Sequence, residues 1–252
     1  MFNAMFKKEW MQSLRSFKLI AVLIVFAILG IMSPLIALLT PQLLQSVLEA
    51  QMPGFVMPDP TAYDAFIQFY SNVNQMGLII FVIVFGSVLT TEFSRGTLIN
   101  LLTKGLNRST VIHVKALFLV IVWTVSYGIA ATLTYLYTIY YFEEPLHQLF
   151  GALITPWIFG LFLISLILFA SAIFKNFIVV LSTVLIVVTL FMLVGLHPDI
   201  AEWLPNYMNK HNVAMLQQEF EFNELWRSIV VTAVASVIMY VLTIIRFRKM
   251  EV

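Results

Sequence analysis

Polar residues in this chain fall in short clusters. Between them run six stretches, 19–40, 76–91, 116–141, 151–174, 177–196 and 228–245, that contain no Asp, Glu, Lys, Arg or His. A hydrocarbon layer about 30 Å thick takes roughly 20 apolar residues of helix to cross, so each stretch predicts a membrane span. The second is short; it either extends back into 72–75 or belongs to a broken helix. Continuous apolar runs differ from the roughly ten-residue alternating segments of a membrane β-barrel. The fold class predicted is an all-α polytopic membrane protein, one transmembrane domain over 1–252.

Ahead of the first span, Phe2, Met5, Phe6, Trp10, Leu14 and Phe17 recur at helical spacing, mostly opposite Lys7, Lys8, Gln12, Arg15 and Lys18. Aromatic residues facing basic ones predict a helix over 1–18 lying in the inner membrane interface. A plain inward extension of the first span is the alternative. No small-residue cleavage signal follows, so the first apolar stretch reads as a retained span.

Composition agrees: 61% of residues are hydrophobic and 11% charged, which excludes soluble, fibrous and disordered classes. The chain has no cysteine, which removes disulfide scaffolds, zinc ribbons, iron–sulfur ligation and thiol catalysis. A net charge of +1 offers no general attraction to nucleic acid. The distribution is more telling than the total. Six spans put twelve of the 14 basic residues on the side that carries both termini, leaving only Lys210 and Arg227 opposite, where ten of the 13 acidic residues fall. The positive-inside rule then places both termini in the cytoplasm.

Two outer loops are long, 41–75 and 197–227. Pro41, Pro53, Pro58 and Pro60 break the first into short pieces, and Tyr63, Phe66, Phe69 and Tyr70 predict a short helix resting on the outer surface. In the second, Ile200, Trp203, Leu204 and Tyr207 form an amphipathic turn suited to the outer interface. Each loop is either a lid over an exit path or a packed cap. The one substantial inner loop is 92–114, where Leu98, Leu101, Leu102 and Leu106 recur at helical spacing, Lys104-Gly105 ends the run and Ser109 is a candidate N-cap. A basic amphipathic helix there would face a lipid surface or a partner protein.

Chemistry of other kinds is missing. No Gly-Lys-Ser or Gly-Lys-Thr occurs, so the chain has no phosphate-cradling loop and no recognisable motor. His113, His147, His197 and His211 lie in loops without metal-ligand spacing. Glu143-Glu144-Pro145-Leu146-His147 could suggest a paired-glutamate intramembrane protease, but it stands at the outer end of a span, Gln148 replaces the Arg such enzymes carry, and Glu144-Pro145 reads as a turn. A transporter coupled to protons or sodium needs ionisable groups or unwound backbone near the midplane, and no span carries such a charge. Energy for transport would have to come from another polypeptide. The third span carries Ser126, Ala130, Thr134 and Thr138 at four-residue intervals, a small-residue stripe that lets another helix approach closely. Packing is one reading of that span. A pathway lined by Tyr127, Thr134, Tyr135 and Thr138 is the other.

Glu92-x-x-Arg95-Gly96-Thr97-Leu98, then Leu101-Leu102-Thr103, then Asn107-Arg108-Ser109 and Lys115 entering an apolar span, resembles the signature region of ABC-2-type ABC exporter permeases. The leading Phe6-Lys7-Lys8-Glu9-Trp10 through Ser33-Pro34 is similar to their interfacial helix and first span. Lys104-Gly105 departs from the Pro-containing turn of many relatives. The resemblance implies a single permease domain whose coupling helix, about 94–112, docks on a separate ATP-binding subunit; the coupling residues are Glu92, Arg95, Gly96, Thr97, Leu98, Leu101, Leu102, Lys104 and Arg108, of which Glu92 and Arg95 are expected to tie the loop to the inner ends of the spans and the Leu98, Leu101, Leu102 face to meet the partner or the membrane. It also implies two such ATPase subunits, which hold the ATP and magnesium, so that this chain binds no cofactor and is no enzyme by itself. A second permease copy or a related permease would complete the path. The loop wording is nearest to bacterial exporters of antimicrobial or modulin-like toxin peptides, and an apolar, Tyr- and Phe-containing interior suits lipophilic or amphipathic cargo. A non-transporting anchor or sensor that recruits an ATPase is the alternative.

Overall fold

A computed structural model describes residues 2–48, 58–94, 96 and 107–249. Most of them are helical, and among the described residues there is no strand. Helix α1 (Phe2–Arg15) ends at a left-handed Phe17 (φ 58°) and turns into α2 (Lys18–Leu48). The second crossing is built from α3 (Ala62–Asn72), a π-turn (Val73–Gly77), α4 (Leu78–Phe85) and α5 (Thr90–Ser94). Long helices follow as α6 (Arg108–Tyr141), α7 (Leu149–Ile173) and α8 (Phe177–Val194); the short α9 (Pro198–Ala201) and α10 (Asn212–Leu216) precede the last, α11 (Trp226–Lys249). Among the described residues, six helical segments are long and apolar enough to cross a membrane.

The six spans match the sequence pattern, but two boundaries move. Pro41 predicts an end to the first span, yet α2 continues through it to Leu48. A proline inside an apolar helix costs one N–H and need not end the helix when its neighbours are otherwise satisfied. The aromatic residues of 62–72 predict a helix resting on the outer surface. Instead they form the first half of the second crossing, with Phe66 and Phe69 fully buried. The reason lies at the helix start. Thr61 and Asp64 form a capping box, and Glu144 accepts a further hydrogen bond from the Ala62 N–H at 3.1 Å, so several orphan amides of the first turn find acceptors. The broken-helix reading of the second span fits the π-turn at Val73–Gly77.

At the centre, Trp123 of α6 meets Phe26 and Phe81 edge-on at 5.7 and 5.4 Å and stacks on Tyr127 at 5.4 Å. Its indole lies over Gly160 of α7, where any Cβ would collide with the ring. The α2–α6 seam is equally tight, because a Cβ on Gly30 would fall 2.6 Å from the Ala130 carbonyl oxygen. Small residues on both helices permit this approach. The 197–227 segment is a folded cap: Met208, Met215 and Leu216 are buried, Asn212 accepts a hydrogen bond from Thr155 of α7 at 2.7 Å, and Ser228 donates to the Leu204 carbonyl at 2.6 Å. Ile200 and Trp203 stay exposed.

Candidate functional site

One face of α1 carries Met5, Glu9 and Ser13 four residues apart, and all three are buried. That spacing aligns them along one side of a helix. Met5 enters a small apolar cluster with Leu89, Val111, Ile112, Val114 and Phe247, so α1 is held against both ends of the 92–114 loop and the last turn of α11. Both chain termini therefore lie at one end of the bundle.

One turn further along α1, Glu9 meets Lys115 of α6, whose side chain is 1% exposed. Lys115 Nζ donates to Glu9 Oε1 at 2.9 Å, to the Val88 carbonyl at 2.9 Å and to Glu92 Oε1 at 3.4 Å. Glu92, on α5, also pairs with Lys8, and Lys8 lies 3.7 Å from Glu9. Two carboxylates and two ammoniums thus balance, three of them buried and Lys8 at the wetter edge. Burying charge is tolerated when the charges are paired and their remaining hydrogen bonds are filled, which describes Lys115. The cluster ties three elements, α1, α5 and α6, at the root of the loop.

Around it the loop ends are fixed. Gly96 adopts φ +63° with its N–H bonded to the Phe93 carbonyl at 3.2 Å, closing α5 in the left-handed conformation glycine favours. Asn107, rather than the expected Ser109, caps α6: its side chain accepts from the Ser109 N–H at 3.2 Å. Asn serves as well as Ser at this position and here has the extended backbone a cap requires. Ser109 is buried and takes a hydrogen bond from Arg248 at 2.7 Å, while Arg108 donates to the Arg248 carbonyl. Lys175 approaches the Phe93 ring at 5.4 Å. Of the residues assigned to coupling, Glu92, Gly96 and Arg108 stand at the loop root, and Arg95, Thr97, Leu98, Leu101, Leu102 and Lys104 lie outside the described residues.

The third-span residues divide. Tyr127 donates to the Leu153 carbonyl of α7 at 2.7 Å, and with Tyr135 it lines an apolar groove between α6 and α7. Thr134 and Thr138 face the other way, fully buried in the α2–α6 seam. Thr134 donates to the Gly30 carbonyl at 3.0 Å and Thr138 to the Thr134 carbonyl at 2.7 Å. Each histidine has a local neighbour: His113, on α6 rather than in a loop, bonds Tyr240, His147 bonds Gln218, His197 lies 3.8 Å from Asp199, and His211 stacks on Phe220 at 4.1 Å. Glu144, from the protease-like string, serves as the cap acceptor described above.

Glu9 is not among the residues the sequence singles out for a site. Its signal is its place on the Met5–Ser13 face, four residues from an apolar and a small neighbour, whereas Lys7, Gln12 and Arg15 face outward.

The chain is an all-α polytopic membrane protein. It matches no protein-family model, and no curated protein is similar enough to count as a match.

Proposed function

We propose that this chain is the membrane-spanning permease subunit of an ATP-driven exporter of the ABC-2 type, carrying amphipathic cargo such as helical peptides out of a bacterial cell. The observation that carries this reading is the Lys8–Glu9–Glu92–Lys115 cluster, a buried electrostatic clamp that joins α1, α5 and α6 at the root of the 92–114 loop. A loop rooted this way moves with the helices it joins. Force applied to its middle by an ATP-binding subunit would reach the third span through Lys115 and the interfacial helix through Glu9. No span carries Asp, Glu, Lys, Arg or His near its midpoint to couple an ion gradient, and the sequence has no Gly-Lys-Ser or Gly-Lys-Thr of a phosphate-cradling loop. Two ATPase subunits and a second permease copy complete the assembly. The surface for that copy is supplied by α8, of whose most apolar stretch only 11% is buried, against 61% for α7.

The test uses the full chain expressed with a tag in its host. An ATP-binding subunit is expected to copurify from detergent extracts. Vesicles holding the complex should hydrolyse ATP faster when a fluorescent amphipathic helical peptide is present, and should accumulate it. Leu101→Asp with Leu102→Asp should abolish copurification and uptake while the chain still inserts. Uptake by the chain alone, or unchanged uptake by the double variant, would overturn the reading. Copurification without peptide-stimulated hydrolysis would favour the anchor or sensor role instead.

A further inference from the structure

The ion cluster fixes the loop root only in part. Glu92 stands at its upstream end, but Lys115 lies about two turns into α6, roughly 10 Å from the start of that helix. The first turns of α6 need another anchor. They find it in the last turn of α11, where two consecutive residues reach the two ends of the loop. Phe247, 1% exposed, packs on Phe93 of α5 with ring centroids 5.9 Å apart, and joins Val111 and Ile112 of α6 in the small apolar cluster. Arg248 Nε donates to the buried Ser109 hydroxyl at 2.7 Å, and its carbonyl accepts from Arg108. Neighbours on a helix point about 100° apart, so one residue serves the upstream end and the next the downstream end. Along the same seam His113, one turn beyond Ser109, bonds Tyr240.

We propose that Arg248 is a positioning residue which, with Phe247, staples the two ends of the 92–114 loop, so that the last turn of α11 sets how far apart α5 and the start of α6 are held. The bond is of a strong kind. A guanidinium donates to a hydroxyl on a residue only 5% exposed, where water competes little and a lost partner is not replaced. Orientation of the chain does not account for it: positive charge at this end serves the positive-inside rule at any nearby position, whereas the bond to Ser109 requires position 248. The last span thereby joins α1, α5 and α6 as a recipient of any motion of the loop. That the loop couples to an ATPase rests on the function proposed above; that α11 sets the separation of its ends does not.

The experiment is double electron–electron resonance on the full chain in lipid nanodiscs, spin-labelled at Ser94→Cys and Thr110→Cys, one on each side of the loop; the chain has no cysteine of its own. The labelled pair should give one narrow distance. Arg248→Met should broaden it toward longer separations, and Ser109→Ala, which keeps the N–H that Asn107 caps, should do the same from the other side of the bond. Together they should broaden it no further, because two changes that remove one interaction are not additive. Arg248→Lys, which keeps a donor for Ser109, and Arg246→Gln, which removes a neighbouring exposed charge, should leave the distance narrow. An unchanged distance in Arg248→Met, equal broadening in Arg246→Gln, or additive broadening in the double variant would each overturn the proposal. Should Arg248→Met fail to insert, Ser109→Ala against the Arg246→Gln control decides the matter. Where an ATP-binding subunit copurifies, Arg248→Met should retain it and lose peptide-stimulated hydrolysis, whereas Leu101→Asp with Leu102→Asp should lose the subunit and keep the narrow distance. Absence of any copurifying ATPase would remove the exporter reading and leave the distance result standing.

Discussion

Lys115 is almost without solvent, and its environment supplies the partners a buried ammonium needs. Three acceptors surround it, two of them carboxylates. Removing it strands Glu9 and Glu92 against each other, with Lys8 alone to balance both. Breaking a buried pair from one side costs about 3–5 kcal/mol, so Lys115→Met is expected to lower stability by that order in detergent unfolding. Adding Glu92→Gln should recover much of the loss, because Lys8 and Glu9 then balance; a neutral Lys115→Met would show the cluster to be wet. At the opposite end, burial between Tyr207 and Phe220, with Lys210 second, holds His211 below its ordinary 6.5. A histidine with a lowered folded pKa favours the neutral form in the fold, so the unfolded chain takes up the proton first as pH falls. Stability is therefore full above about 6.5 and declines below it. Thermal unfolding between pH 8 and pH 5 should show that decline, and His211→Gln should flatten it.

Helices show how prolines are accommodated in this bundle. Pro34 has no N–H, so the Gly30 carbonyl one turn earlier on α2 loses its helical donor. Thr134, across the seam on α6, donates to that carbonyl at 3.0 Å. On α7, Pro156 frees the Ala152 carbonyl in the same way, and Thr155 donates to it at 3.2 Å. Thr134→Val should therefore cost roughly 0.6–1.7 kcal/mol, the range for hydrogen bonds between membrane helices. In a Pro34→Ala background the same change should cost almost nothing, since the substituted residue's own N–H would supply the missing donor; an equal cost in both backgrounds would assign Thr134 a different role. Element existence was legible because uncharged apolar runs of this length have few other uses. Element ends were harder. Thr61-x-x-Asp64 is a visible capping signature, yet four nearby prolines outweigh it in the sequence, and the decisive acceptor, Glu144, comes from 82 residues away. The site was half legible: Glu92 and Arg108 stand in a recognisable string, but alignment with Met5 and Ser13 is the one local mark Glu9 carries, and apart from the adjacent Lys8 its partner arrives from α6 only on folding.

For the molecule as a whole, the ion cluster, the loop root and both termini share one end, while the folded cap with Lys210 and Arg227 occupies the other. Charge asymmetry predicts that the first end faces the cytoplasm, since short loops rich in Lys and Arg resist translocation. The chain has no cysteine, so single-cysteine variants report position without background. Glu143→Cys and Asp199→Cys, both at exposed positions of the cap end, should react with a membrane-impermeant maleimide on intact cells. Lys104→Cys and Arg246→Cys should react only after the membrane is opened. The reverse pattern would leave the six-helix bundle and its clamp intact while turning the 92–114 loop away from every source of ATP, and the proposed exporter function would fall with the fold still standing. That separation makes orientation the decisive measurement: the helices require only a membrane, whereas the function requires a particular side of it.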